Sequence, residues 1–184
     1  PRDSIRRQRQ MCIRDSVWRV QHFDAHGRVI RDTIEVGEVP DLVRSATFQA
    51  ADTRIDSCCD GQDAAIQNAP ALLVELADRL ASYRPGDPVH TINLSLLPLT
   101  ELDLMLLGER MGVGPVTILS RGYGNCRIGS TAKRNGWWIK YFNSQDVLIL
   151  NTIEVVDVPS VALAAAEDIA ESAERLSEIL ELYR

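Results

Sequence analysis

Apolar and polar positions change places along this chain with two rhythms, and one arrangement of them occurs twice. Trp18 to Pro40 reads WRVQHFDAHGRVIRDTIEVGEVP, and Trp137 to Pro159 reads WWIKYFNSQDVLILNTIEVVDVP. The two align without a gap at an offset of 119, and Trp18/Trp137, Phe23/Phe142, Ile30/Ile149, Thr33/Thr152, Ile34/Ile153, Glu35/Glu154, Val36/Val155, Val39/Val158 and Pro40/Pro159 are identical, nine of 23 positions. Each copy holds two strand-like runs around a short polar turn, DAHG in one and NSQD in the other, which predicts a hairpin. Each then reaches Val-Pro and a helix, since proline is tolerated where a helix begins and its missing N–H would be unpaired anyway.

The second copy has more before it. Leu72, Leu73, Leu76 and Leu80 recur at helical spacing in Ala69–Tyr83, and Arg84-Pro85-Gly86-Asp87-Pro88 stops that helix. A strand over Val89–Leu97, a helix capped by Thr100 and running to Met111, and a strand over Val116–Ser120 follow. The last segment, Ser160–Leu182, sets Ala162, Ala166, Ile169, Ala173, Leu176, Leu180 and the following Tyr183 against a face of Glu167, Asp168, Glu171, Glu174, Glu178 and Glu181, as expected of a helix laid on its own sheet with a solvated acidic side, the alternative being a helix that binds a partner. The expected class is α+β: a repeated unit of mixed sheet with packed helices, whose full copy runs α-β-α-β-β-β-α and is preceded by the tail end of a related copy. In domains, 17–48 is the end of the first repeat, 49–68 a linker rich in Asp, Gln, Ala and Ser, and 69–184 the complete second repeat. The leading elements of the first copy are then expected to be missing from the sequence.

Residues 1–16 stand apart, with five arginines, two aspartates and no periodicity. They resemble translated read-through of a sequencing adapter and are set aside as foreign or disordered; the alternative is a basic tail that binds an acidic surface. Without them the net charge moves from −6 to −9. Such an acidic body, with no basic stripe, repels polyanions at long range and excludes nucleic acid as the expected partner. Apolar runs such as Leu104–Leu107 fall far short of the roughly 18 to 20 residues of a bilayer span. Beyond Cys12, the cysteines are the adjacent Cys58 and Cys59 and the single Cys126, which make neither a metal-binding pair nor a disulfide scaffold. A reducing cytoplasm is the expected compartment, and no metal or cofactor is expected.

Candidate chemistry centres on ILSRGYGNCRI, Ile118 to Ile128. Gly122-Tyr123-Gly124 lacks the third glycine of a dinucleotide fingerprint, since Arg127 stands there, and a β-rich segment follows instead of a helix. A hairpin with Gly124-Asn125 in the tight positive-φ positions is favoured. Cys126 follows that turn; Arg121 and Arg127 could raise its thiolate character, but His22, His26 and His90 are distant in sequence, so a structural thiol is favoured over a nucleophile. Strand alternation puts Trp137, Ile139 and Tyr141 on one face and Trp138, Lys140 and Phe142 on the other. Either helices cover both faces or one is a docking surface, and the apolar run Val147–Leu150 likewise suggests a strand buried on both sides.

SRGYGNCRI followed by WWIKYFNSQDVLILNTIEVVDVP resembles the C-terminal region of the HupH/HyaF hydrogenase expression/formation family, most densely from Pro98 to the end. The internal repeat is also like that family. The resemblance implies an accessory, chaperone-like protein of [NiFe] hydrogenase maturation that binds a hydrogenase subunit precursor, and other maturation factors with it, in the cytoplasm, without catalysis. The motif and candidate binding residues are then Arg121, Tyr123, Asn125, Cys126, Arg127, Trp137, Trp138 and Tyr141. The alternative is a thiol-dependent enzyme or redox factor using Cys126.

Overall fold

The computed structural model describes residues 9–14, 16–49, 52, 54–56, 65–122 and 124–182. They form two groupings, Pro1–Leu42 with Leu163–Arg184, and Val43–Ala162.

In the first grouping, β1 (Arg9–Arg14), β2 (Val17–Phe23) and β3 (Val29–Val36) make an antiparallel sheet in that order. Of the stretch set aside above, Arg9–Arg14 and Ser16 are among the described residues. Arg9–Arg14 pair with β2 and form an edge strand of that sheet. The β2–β3 turn is built by Asp24, whose Oδ1 accepts from the N–H groups of His26 and Arg28, while Gly27 takes φ +80°. Val20 is fully buried, and the Trp18 indole N–H donates to the Gly37 carbonyl at 2.8 Å. Beyond the second sheet the chain returns here: the Ala164 N–H donates to the Glu38 carbonyl at 2.8 Å, and α4 (Ala166–Leu182) follows. The long last helix is not continuous, since a 3-10 turn at Ser160–Ala162 precedes α4. Nor is its apolar stripe covered: Leu176, Ile179 and Leu180 are exposed, and Ser172 is the buried residue of the helix. Periodicity assigns an apolar face to a helix without supplying a surface to cover it.

In the second grouping, five antiparallel strands lie in the order β4-β8-β7-β6-β5: β4 (His90–Asn93), β5 (Thr117–Gly122), β6 (Gly124–Ser130), β7 (Gly136–Phe142) and β8 (Leu148–Val155). Four strands follow α3 (Glu101–Met111), one more than the expected order held, because the Cys126 segment is itself a full strand. The strand expected over Val89–Leu97 ends at Asn93, whose side chain accepts from the Ser95 N–H and turns the chain into a 3-10 segment, Leu94–Leu96. The helix after the first hairpin is α1 (Asp41–Gln49), with Val43 and Thr47 buried.

The core lies where α2 (Ala69–Ser82) and α3 cover one face of the sheet. Leu73, Leu76 and Leu80 meet Leu106, Leu107 and Met111 over Ile92, Ile153 and Val155. Ile55 joins them, so the segment expected to be a linker contributes to the core where it is described. Asp52 and Arg54 meet Lys133, and Asp56 pairs with Arg110 at 2.7 Å. Asp103 pins the two helices together: its Oδ1 accepts from the N–H groups of Gln67, Asn68 and Ala69 at 3.0, 3.0 and 2.9 Å, and its Oδ2 from Thr100 N–H at 2.9 Å and Thr100 Oγ1 at 3.0 Å. Thr100 returns the bond by accepting from the Asp103 N–H, which closes a capping box.

The two hairpins agree in detail at the offset seen in the sequence. Val17↔Val36, Trp18↔Glu35, Arg19↔Ile34 and Val20↔Thr33 correspond to Gly136↔Val155, Trp137↔Glu154, Trp138↔Ile153 and Ile139↔Thr152. A register shift falls between His22 and Phe23 in one and between Tyr141 and Phe142 in the other. Asn143 Oδ1 accepts from Gln145 and Val147 as Asp24 Oδ1 does from His26 and Arg28, and Asp146 at φ +57° stands where Gly27 does. The run Val147–Leu150, expected to be buried on both sides, lies at the hairpin end with Val147, Leu148 and Ile149 exposed and Leu150 half-buried.

Candidate functional site

The hairpin of β5 and β6 pairs Thr117↔Gly129 through Gly122↔Gly124, so its tip lies around residue 123. Asn125 is therefore not a turn residue at positive φ: it is a strand residue, opposite Arg121 on one side and Phe142 on the other. Tyr123 and the side chain of Arg121 lie outside the described residues. Directly opposed residues share a face, which gives three rows across the sheet. Leu119, Arg127, Lys140 and Asn151 form one; Thr117, Gly129, Trp138, Ile153 and Ile92 form the next; Asn125 and Phe142 lie in the third.

The helices cover only part of this face. Ile92 and Ile153 belong to the core, and Trp138, partly buried, packs against its border. A Cβ at Gly108 of α3 would lie 3.9 Å from Trp138 Cζ3, so helix and indole are in direct apposition. The Trp138 indole N–H donates to Asn151 Oδ1, and Lys140 Nζ sits 5.2 Å from the centre of the Trp138 ring. Further along, the Arg127 guanidinium lies 5.1 Å from the centre of the Phe142 ring, Leu119 is 61% exposed, and the Asn125 side-chain N–H donates to Asp146 Oδ1 at 2.9 Å. The result is a strip that starts at the helix-covered core and runs into solvent. It carries aromatic rings, each with a cation held over it, an arrangement worth about 0.5–1 kcal/mol per pair at exposed sites.

The opposite face is built differently. Trp137, Ile139 and Ile128 are fully buried, and the Trp137 indole N–H donates to the carbonyls of Val156 and Asp157 at 3.2 and 3.1 Å. Cys126 is 6% exposed. Burial pushes its thiol above the ordinary value, Glu154 adds to the rise, and the Tyr141 hydroxyl opposes it. Burial likewise raises Tyr141 and Glu154, so all three favour their neutral forms. A nucleophilic thiol requires the reverse, and His90 stands on β4 at the far edge of the sheet, where it pairs with Glu75 at 2.8 Å. A small cleft of about 140 Å³ beside Cys126 is lined by Leu119, Ser120, Asn125, Arg127 and Asp146.

Of the residues singled out from the sequence, the fold brings half-buried Asn125 and Trp138 and exposed Arg127 to the strip and places Trp137, Cys126 and Tyr141 on the other face. Leu119, Lys140 and Phe142 complete the strip. The last two were signalled by their alternation with Trp138, whereas Leu119 depends on a strand pairing that nothing local announces. Asp103 had a local signal too, in the Thr-x-x-Asp spacing that opens α3.

Fold and surface together define an α+β protein with a sheet face partly left open beside its helices. Among the described residues no group of three or more His, Cys, Asp or Glu is placed to hold a metal ion. None of the described helices is long and apolar enough to cross a membrane. The chain matches the family described as "HupH hydrogenase expression protein, C-terminal conserved region" over residues 8–59 and 66–183, and it belongs to that family. It is 40% identical over 190 residues to the hydrogenase expression/formation protein HupH of Rhizobium leguminosarum bv. viciae, covering 98% of this chain and 63% of the relative. It is 46% identical over 174 residues to the hydrogenase expression/formation protein HoxQ of Cupriavidus necator, covering 93% and 60%. The hydrogenase-1 operon protein HyaF of Escherichia coli K12 is 32% identical over 174 residues, covering 92% and 58%. The chain thus spans about 60% of the length of these relatives. Among solved structures, the hydrogenase expression protein HupH from Thiobacillus denitrificans aligns with a TM-score of 0.54 at 33% identity, covering 63% of this chain and 95% of that one.

Proposed function

We propose that this chain is the working part of a non-catalytic accessory factor that assists maturation of [NiFe] hydrogenase in the cytoplasm by holding a subunit precursor. The strip of Leu119, Arg127, Lys140 and Phe142 carries the reading, because it sets an exposed apolar side chain and an exposed cation beside a half-buried cation and a half-buried aromatic ring on one sheet face. Such a surface suits an acidic, partly apolar segment of another protein, and its two cations stand out on a chain of net charge −6. Arg121, Tyr123, Asn125, Arg127 and Trp138 are its assigned contact residues, while Trp137, Cys126 and Tyr141 support the sheet from behind. The names of the relatives favour the same role. The buried, raised thiol of Cys126 argues against chemistry at that site.

The same reading takes the two hairpins as copies of one unit, the first represented by residues 17–48 and the second by 69–184. Their shared register, shifted pairing and Asx-type turns support it.

The test is binding of purified precursors and mature forms of the large and small hydrogenase subunits to the full chain, measured under anaerobic conditions. One precursor is expected to bind more tightly than its mature form, and Arg127→Glu with Lys140→Glu to weaken it at least tenfold, about 1.4 kcal/mol. Equal binding of both forms, or indifference to the charge reversal, sinks the proposal.

A further inference from the structure

The two hairpins are superposable in register yet differ in what lies beside and over them. In the second, the outer edge of β8 is taken by β4, with Thr91 opposite Glu154 and Ile92 opposite Ile153. Helices α2 and α3 lie over the same end, and Ile153 and Val155 are 0% and 1% exposed. In the first, the residues at the equivalent positions are the same amino acids, Ile34 and Val36, but they are 68% and 67% exposed. Strand β3 is the edge of its sheet, so the backbone from Thr33 to Val36 has no strand on that side among the described residues.

The border of this bare patch also has its counterpart. Where Trp138 donates to Asn151 at the limit of helix cover, the equivalent residues Arg19 and Asp32 form an ion pair at 2.7 Å, joined by Gln21 at 2.9 Å. An apolar end and a polar end are therefore divided at the same rung in both hairpins.

We propose that the outer edge of β3, with the face carrying Ile34 and Val36, is the seat of a helix–strand–helix segment built like residues 69–111. Its strand adds antiparallel to Thr33–Val36, with an apolar residue opposite Ile34 as Ile92 is opposite Ile153, and its two helices close over Ile34 and Val36. The occupant is the part of the full-length family protein outside the matched region, about two fifths of the Cupriavidus relative's length, which is ample for such a segment. A second copy of this chain fits less well, since its own helix–strand–helix segment is already engaged with β8. The inference rests on the reading of the hairpins as copies and is independent of any hydrogenase partner.

The test mixes the full 184-residue chain with the separately produced unmatched portion of the Cupriavidus relative and follows backbone amide exchange residue by residue. Slowed exchange at Thr33–Val36 is expected, with binding weakened at least tenfold by Ile34→Asp and unchanged by Leu119→Asp, while the urea midpoint of the free Ile34→Asp chain stays within error of the parent. Protection confined to other residues, binding indifferent to Ile34→Asp, no binding, or protection of Thr33–Val36 in the chain alone through self-association would each overturn the proposal. Because no hydrogenase subunit is present, failure here leaves the precursor-binding reading standing, and the reverse also holds.

Discussion

Replacing Asp103 should reveal how much of the second grouping's stability rests on one carboxylate. Its two oxygens accept five hydrogen bonds, three from the backbone that leads into α2 and two from Thr100 at the start of α3. In Asp103→Ala, the fully buried Ala69 N–H loses its partner at a cost of about 1–3 kcal/mol, and loss of the capping box adds about 1 kcal/mol. Gln67 and Asn68 can turn to water at smaller cost, so the total is about 3–5 kcal/mol, a large fraction of the 5–15 kcal/mol typical of a domain. Thr100→Ala removes the cap and the hydroxyl's bond to the Ala65 carbonyl at 3.3 Å but leaves the three bonds to the start of α2, and should cost about 1 kcal/mol. Urea unfolding monitored by tryptophan fluorescence separates the two. If Asp103→Ala is no more damaging than Thr100→Ala, the bridge to α2 contributes nothing and the reasoning fails.

The same carboxylate sets an acid limit. Burial would raise its pKa, but the N–H groups of Ala69, Thr100 and Asn68 outweigh burial and hold it at about 2. With the folded value below the unfolded one, the contribution is present above about pH 4 and is lost as pH falls towards 2; Asp103→Asn should flatten that part of the stability profile. The thiol of Cys126 works in the opposite sense: being raised by burial, it favours folding while neutral and ceases to as pH rises through its folded value. Alkylation of Cys126 in the folded chain should therefore be slow at pH 8 and accelerate on unfolding; rapid labelling at neutral pH would contradict the burial described. Gly114→Ala should destabilise by several kcal/mol on thermal unfolding, because a Cβ there would collide with the Thr131 carbonyl and Ser130 Oγ. Trp138→Ala removes an indole at the border of the core and should cost about 3–4 kcal/mol; a loss below about 1 kcal/mol would mean that α3 does not pack on it.

The legible parts of the fold were those written in local pattern. Both hairpins, their turns, α2, and α3 with its Thr100 cap follow from alternation, Asx residues and helical spacing. The strand β6 was harder, since Gly124 and Gly129 dilute its β character and its pairing with β7 is needed to see it as a strand. The ladder of β4 on β8 joins distant segments, and no local signal announces it. The exposure of most of Val147–Leu150 is not legible for a related reason: composition says that a run is apolar, while its position at the hairpin end decides whether anything covers it. The strip was half visible, in the alternation of Trp138 with Lys140 and Phe142. That Arg127 lies over Phe142 required the cross-strand register.

The order of the larger sheet also carries a kinetic meaning. Strands β5, β6, β7 and β8 follow one another as neighbours, each pair closed by a short connection, whereas β4 must reach across all of them in sequence to pair with the far side of β8. Closing short loops precedes closing long ones, so the meander is expected to assemble early and to receive β4, α2 and α3 late. The late layer is then expected to be the first to leave as the second grouping opens under native conditions, which would bare Ile153 and Val155 to water on a hairpin sheet that still holds.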